Sequence, residues 1–317
     1  AEGHLSEGQS RWPRRRGLDR LARITPVREV MRHIFHTACL FLLAIVLSPL
    51  GTASAAGTVP ATLLVNDSLS SPNQTAMVEA RLMSRGPAAP VGLGGEPLEL
   101  LVYGKVVATA VTGEDGTARL PFTPKAQGII PVQVRVGESG RVAPTEGLGH
   151  LAIWERRNPI VAVELAALMD APQAKKALSD ARSKPEPEGT PMPDAADELG
   201  KLTQFYYRVM YVVPSASFGG DSFQASESSR AWLKLHKFPT GYVLVVPAGE
   251  QAFGTAIDAL HADGWKTVKT GIGRTKAFAE AFLQRRLDAV MVPEPAKGEA
   301  PRKAKVAKEW KEIRKKL

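Results

Sequence analysis

The chain has 317 residues, 44% of them hydrophobic and 23% charged, with a formal net charge of +9. These are globular proportions, and the length suffices for two ordinary domains. The single cysteine, Cys39, excludes a disulfide framework and a Cys-type zinc site. The positive charge is uneven: residues 1–32 carry +4 and residues 297–317 carry +6, which leaves about −1 for everything between.

The chain begins at Ala1 without a methionine, and residues 1–30 are expected to be an upstream extension. Met31-Arg32-His33 then opens a signal-peptide pattern over 31–55: a basic start, an apolar run from Ala38 to Leu47, a Ser48-Pro49 turn and a small-residue site at Ala53-Ser54-Ala55. The apolar run is short for a membrane span, with an uncleaved anchor helix as the alternative. Arg14-Arg15-Arg16 stands too far from it for a twin-arginine signal. The expected location is therefore outside the cytoplasm, periplasmic or secreted. Cys39 falls inside the leader, so the mature chain would have no thiol nucleophile.

Residues 58–154 read as an all-β domain. Strands are expected at Pro97–Tyr103, Val106–Thr112, Thr117–Thr123 and Ile130–Val136, the last two with clean two-residue alternation. Gly113-Glu114-Asp115-Gly116 is a strong turn between them. The spacing from Thr112 through Asp115-Gly116, Ala118, Phe122, Pro124 and Gly128 to Val132 and Val134 resembles bacterial immunoglobulin-like β-sandwich modules. That resemblance implies a spacer, adhesive or supporting role. His150 has no second histidine nearby and reads as packed or solvated. Asn66-Asp67-Ser68 and Asn73-Gln74-Thr75 match glycosylation sequons.

Trp154-Glu155-Arg156-Arg157-Asn158 is too brief for a flexible tether, so the two domains should pack together. Residues 158–296 then alternate strand and helix patterns, as in a doubly wound α/β domain. Ile160 to Glu164 is a buried strand with one acid at its carboxyl end, where such folds place their chemistry. Pro185–Pro193 is an exposed proline-rich loop. A helix over Asp194–Phe205 precedes a second buried strand, Tyr206–Val213, that ends at Pro214-Ser215. Ser229–Leu233 is helical, and a strand after Gly241 ends at Pro247. Gly249–Trp265 is a helix and Lys266–Thr270 a short strand. Gly271-Ile272-Gly273 is then either an ordinary turn or a backbone cradle for an anion at the start of a helix over Thr275–Arg286. The last strand is Leu287–Val292, followed by Glu294 between two prolines.

Glu164-Leu165-Ala166-Ala167-Leu168, with Ser215 and the Pro239-x-Gly241-x-Val243 strand entry, resembles the haloacid-dehalogenase-like (HAD) phosphatases, closest to the lipin-type phosphatidate phosphatase branch. The resemblance implies a Rossmannoid α/β fold with a cap inserted after the first strand. It also implies that Ser215 and Lys276 bind the phosphoryl group, Lys276 being otherwise a first-turn surface lysine. Magnesium would be held near Glu164 and Glu294. In that family a first aspartate attacks phosphorus and a second moves the proton. Here Glu164 lengthens the first by a methylene, and Ala166 at the second cannot transfer a proton. The expectation is a degenerate, non-catalytic domain with no cofactor, whose Ser215 and Lys276 bind an anion without turning it over. The alternative is a weak magnesium-dependent, phosphatidate phosphatase-like phosphohydrolase using Glu164. Leu168 adds an apolar group where the motif carries a polar one. His150, His236 and His261 lie in separate elements and form no Ser-His-Asp or metal-spaced set.

From Lys297 the chain reads as a basic helix with Val306, Trp310, Ile313 and Leu317 on one stripe. It suits an anionic membrane surface or an acidic partner, or else docks on the domain through Trp310. Nucleic acid is disfavoured, because no aromatic-basic platform is present. The expected partner is an envelope protein or an anionic ligand.

Overall fold

In the computed structural model the described residues are 58–86, 89–170, 189–249 and 251–317. The expected extension 1–30, the leader 31–55 and most of the insert after Asp170 lie outside them. No helix among the described residues is long and apolar enough to cross a membrane.

Two sheets make the first domain. Strands β1 (Ala61–Val65), β3 (Ala76–Ser84) and β6 (Thr117–Phe122) form an antiparallel three-stranded sheet. Strands β2 (Ser68–Ser70), β4 (Pro97–Val102), β5 (Lys105–Val111), β7 (Gly128–Val136) and β8 (Glu146–Ile153) form a second, in the order β2-β8-β7-β4-β5. The inward residues Val78, Ala80, Leu82 and Leu120 of one sheet meet Leu98, Leu100, Val132 and Val134 of the other in a single core. The alternation read from Thr117–Thr123 and Ile130–Val136 thus sets which side chains are buried. At the predicted turn, the Asp115 carboxylate accepts from the Thr117 N–H and hydroxyl, both at 2.9 Å. Gly116 has φ +78°, and a Cβ there would collide with the Leu82 carbonyl oxygen.

The second domain is a six-stranded, wholly parallel sheet: β9 (Ile160–Glu164), β10 (Arg208–Pro214), β11 (Tyr242–Val246), β12 (Val268–Gly273), β13 (Asp288–Met291) and β14 (Lys305–Val306). Their spatial order is β11-β10-β9-β12-β13-β14. The chain therefore winds outward from β9 in one direction, then returns and winds outward in the other, with the switch between β9 and β12, where such folds bind ligands. Helices α1 (Ala195–Phe205) and α2 (Ser222–Leu235) cover one face, through Leu199, Leu202, Ala225 and Trp232. Helices α3 (Ala252–Ala262) and α4 (Lys276–Gln284) cover the other, through Ile257, Phe278 and Phe282. With both faces covered, all five residues of β9 are buried, which is why this strand reads as an unbroken apolar run before its acid.

Two expectations are corrected. Gly271 and Gly273 lie inside β12 and form no turn. They are small because the rings of Phe278 and Phe282 pack directly on the strand. The tail is no continuous helix either. Gly298 at φ +90° and Pro301 interrupt it, β14 adds to the sheet beside β13, and only a 3-10 turn (Trp310–Glu312) and the single-turn α5 (Ile313–Lys316) are helical. Trp310 and Ile313 are fully buried in the core, and the Trp310 indole donates to the Ala167 carbonyl at 3.1 Å. Trp310 and Ile313 of the stripe are thus buried against this domain, while Val306 and Leu317 are half-buried.

The short junction holds the two domains together, as its length predicts. Ala152 and Trp154 from the end of β8 belong to the same core as Ile160, Ala162 and Met210. The Trp154 ring meets Tyr242 edge-on at 6.5 Å.

Candidate functional site

A doubly wound sheet offers its ligand site at the carboxyl ends of the strands where the winding reverses, here β9 and β12, and Glu164 is the last residue of β9. The strand period aims Glu164 along the sheet end, and β12 runs alongside with Gly271 opposite Ala162 and Ile272 opposite Val163. Gly273 lets the carboxylate approach: a Cβ there would lie 2.9 Å from Glu164 Oε2. Oε2 accepts the backbone N–H groups of Arg274 at 2.7 Å and Thr275 at 2.9 Å. Oε1 lies 2.6 Å from the Thr275 hydroxyl, which also caps α4 by accepting from the Phe278 N–H at 3.3 Å. The side chain thus occupies the N-terminus of α4, the position at which such folds hold an anion. At 1% exposure it is sealed from solvent. Burial pushes its carboxyl above the usual carboxylate range, while the Thr275 and Arg274 donors pull it back only partly.

The other predicted residues do not gather on that carboxylate. Ser215 is buried at the end of β10, where it opens a 3-10 turn and its carbonyl accepts from the Gly220 N–H at 2.9 Å. Lys276 is exposed and turns along its own helix, with Nζ 3.7 Å from the Glu280 carboxylate. Glu294 is exposed beyond β13. Ala166 supplies no side-chain oxygen. The Arg274 guanidinium, which sequence reasoning passed over, reaches across to the Met169 carbonyl at 2.6 Å. These residues do not fit magnesium, which needs several converging oxygens in octahedral array. Both Glu164 oxygens already serve protein donors, and no cluster of three His, Cys, Asp or Glu occurs among the described residues.

No protein-family model and no curated protein matches this chain. Solved structures with similarity include the CARDB domain of a Pyrococcus furiosus protein, at 16% identity, 30% of this chain, 87% of that one and a TM-score of 0.22. The D00-D0 domain of Intimin matches at 12% identity, 33% and 52% coverage and a TM-score of 0.23. A human PKD domain matches at 15% identity, 32% and 88% coverage and a TM-score of 0.21. Scores this low carry no argument about fold or function.

A second buried carboxylate, Asp67, lies where the domains meet. Oδ1 accepts from the His150 backbone N–H and from Arg230 Nη1, both at 2.9 Å. Oδ2 accepts from the N–H of Val243, on the outer edge of β11, at 3.1 Å. Arg230 also donates to Ser226 Oγ and to the Leu148 carbonyl, both at 2.7 Å. One aspartate thus ties β8, α2 and β11 together. Asp67 is the middle residue of the Asn66-Asp67-Ser68 sequon match; the Ser68 hydroxyl donates to the Met77 carbonyl at 2.9 Å, and Asn66 Oδ1 is buried. His150 is half-buried beside this clamp, as a packed residue, and burial lowers its pKa.

Proposed function

We propose that the protein is an exported, non-catalytic binding or scaffolding component of the cell envelope, built from an immunoglobulin-like β-sandwich and a degenerate HAD-like, lipin-type α/β domain. One observation carries the reading: the acid that a phosphatase would use as nucleophile is sealed against the N-terminus of α4 by two N–H groups and a hydroxyl. A nucleophile needs open approach to phosphorus, and a carboxylate with both oxygens engaged and no exposed face lacks it. Ala166 supplies no acid for the leaving group. The strand order around β9 and the placement of Ser215 at the neighbouring strand end agree with a HAD-like frame. The leader pattern at 31–55 supports export.

The test is hydrolysis of para-nitrophenyl phosphate with magnesium, comparing wild type with Ser215→Ala. The expected result is no turnover above buffer in either protein. Turnover in the wild type that Ser215→Ala abolishes would establish the phosphohydrolase instead.

A further inference from the structure

Strand β11 is the last strand on its side of the six-stranded sheet. The N–H of Val243 points away from the sheet to Asp67, so the two-residue period turns the N–H and C=O of Val245 to the same outer side. That N–H meets no acceptor outside the sheet among the described residues. A groove of about 450 Å³ runs along this edge, between β11 and the outward face of β3. Asn66, Met77, Glu79, Ser222 and Tyr242 line it. Met77 is 46% exposed, an apolar and adaptable surface on the outward face of β3. Asn66 Oδ1 is out of contact with water and has no donor. Burial raises the pKa of the Tyr242 phenol, and the Asp67 and Glu79 carboxylates add to the rise.

We propose that this groove receives an extended peptide segment of a partner protein, which adds as a strand to the outer edge of β11 and places a lysine or arginine side chain toward Glu79. An extended backbone is the ligand that supplies both a carbonyl for the Val245 N–H and an N–H for the Val245 carbonyl. The Glu79 carboxylate lines the groove and is held on its exposed side by Arg119, whose Nε donates to Oε1 at 2.9 Å. A cationic side chain brings several donors and the matching charge. Met77 then packs beneath a neighbouring apolar side chain of the incoming strand. The proposal gives the binding reading a partner class and rests on the groove alone, whatever Glu164 does.

The test is selection of a random peptide library on the full chain, followed by affinity measurement against two variants. Val245→Pro removes the edge donor at a place where a sheet edge accepts proline. Met77→Lys changes an exposed side chain, leaves the core intact and sets a like charge against the incoming Lys or Arg. The expected result is a set of peptides enriched in Lys or Arg at one position, binding each variant about tenfold more weakly, the loss of one or two hydrogen bonds or an apolar contact. Bound peptide should also slow amide hydrogen exchange at Val245. Should Val245→Pro fail to fold, Met77→Lys and the exchange measurement decide the matter. No enrichment over uncoated support, or peptides that bind the folded variants as tightly as wild type, would overturn the proposal.

Discussion

Glu164 and Asp67 are both shut away from water, with Glu164 1% exposed and the Asp67 side chain 0% exposed, but they are held differently. Asp67 has a full counter-charge, Arg230, itself 10% exposed, and two backbone N–H groups from different domains. Glu164 accepts hydrogen bonds from neutral groups only, the Arg274 and Thr275 N–H groups and the Thr275 hydroxyl at the start of one helix, and the Arg274 charge acts on it only through space. Asp67 therefore joins elements that would otherwise separate, and its loss should be felt across the junction. Glu164 fills a hole within one domain, and its loss should be felt as local repacking and a changed response to pH.

The strongest way to break this contrast is Arg230→Ala. It leaves Asp67 buried without its cation, which should cost about 3–5 kcal/mol of stability in urea unfolding. The double variant Asp67→Ala/Arg230→Ala should recover part of that cost, because the stranded charge is gone. A loss below about 1 kcal/mol would reduce the clamp to an ordinary surface pair. A smaller effect is expected for Thr275→Val, which removes both the hydroxyl on Glu164 and the cap of α4. That should lower stability by about 1–2 kcal/mol, read from the melting curve, with the junction untouched.

The finest distinction comes from pH. The folded Glu164 carboxyl is raised above its ordinary 4.5, so its contribution to stability is complete below that pH and is lost as pH rises through the folded value. Glu164→Gln cannot titrate, and its amide can serve the same donors and the Thr275 hydroxyl. The variant should therefore gain on wild type in urea midpoint as pH rises above 4.5. A midpoint difference that stays constant over this range would show that the donors outweigh burial at this residue.

Much of the α/β domain could be read in advance. The run Ile160 to Glu164 announced a strand covered on both faces, and the helix over 194–205 and the strand ends at Ser215 and Pro247 fell within about two residues of their observed positions. Errors arose where one local pattern serves two structures. Two glycines one residue apart suit a turn, but they also suit a strand crushed under phenylalanine rings, as in β12. Apolar residues spaced at three or four suit a free amphipathic helix. In the tail the same residues are divided between a strand, a 3-10 turn and one helical turn. Ser215 and Lys276 were located correctly on their elements, yet the side chain of Lys276 turns to Glu280 and away from the crevice. Thr275 went unnoticed as a partner of Glu164, although a threonine directly before a helix is a capping signal.

Which face of each strand lies inward, and where each element begins and stops, follow from neighbours a few residues apart, so the linear order of amino acids suffices for them. The fate of the polar groups does not. Glu164 meets Thr275 across 111 positions, Arg230 meets Asp67 across 163 and Trp310 meets Ala167 across 143. No periodic pattern spans such separations. Those pairings exist because the winding of the sheet around β9 and the docking of the sandwich on β11 bring distant donors to buried acceptors, and burial then makes every one of those acceptors costly to leave unpaired.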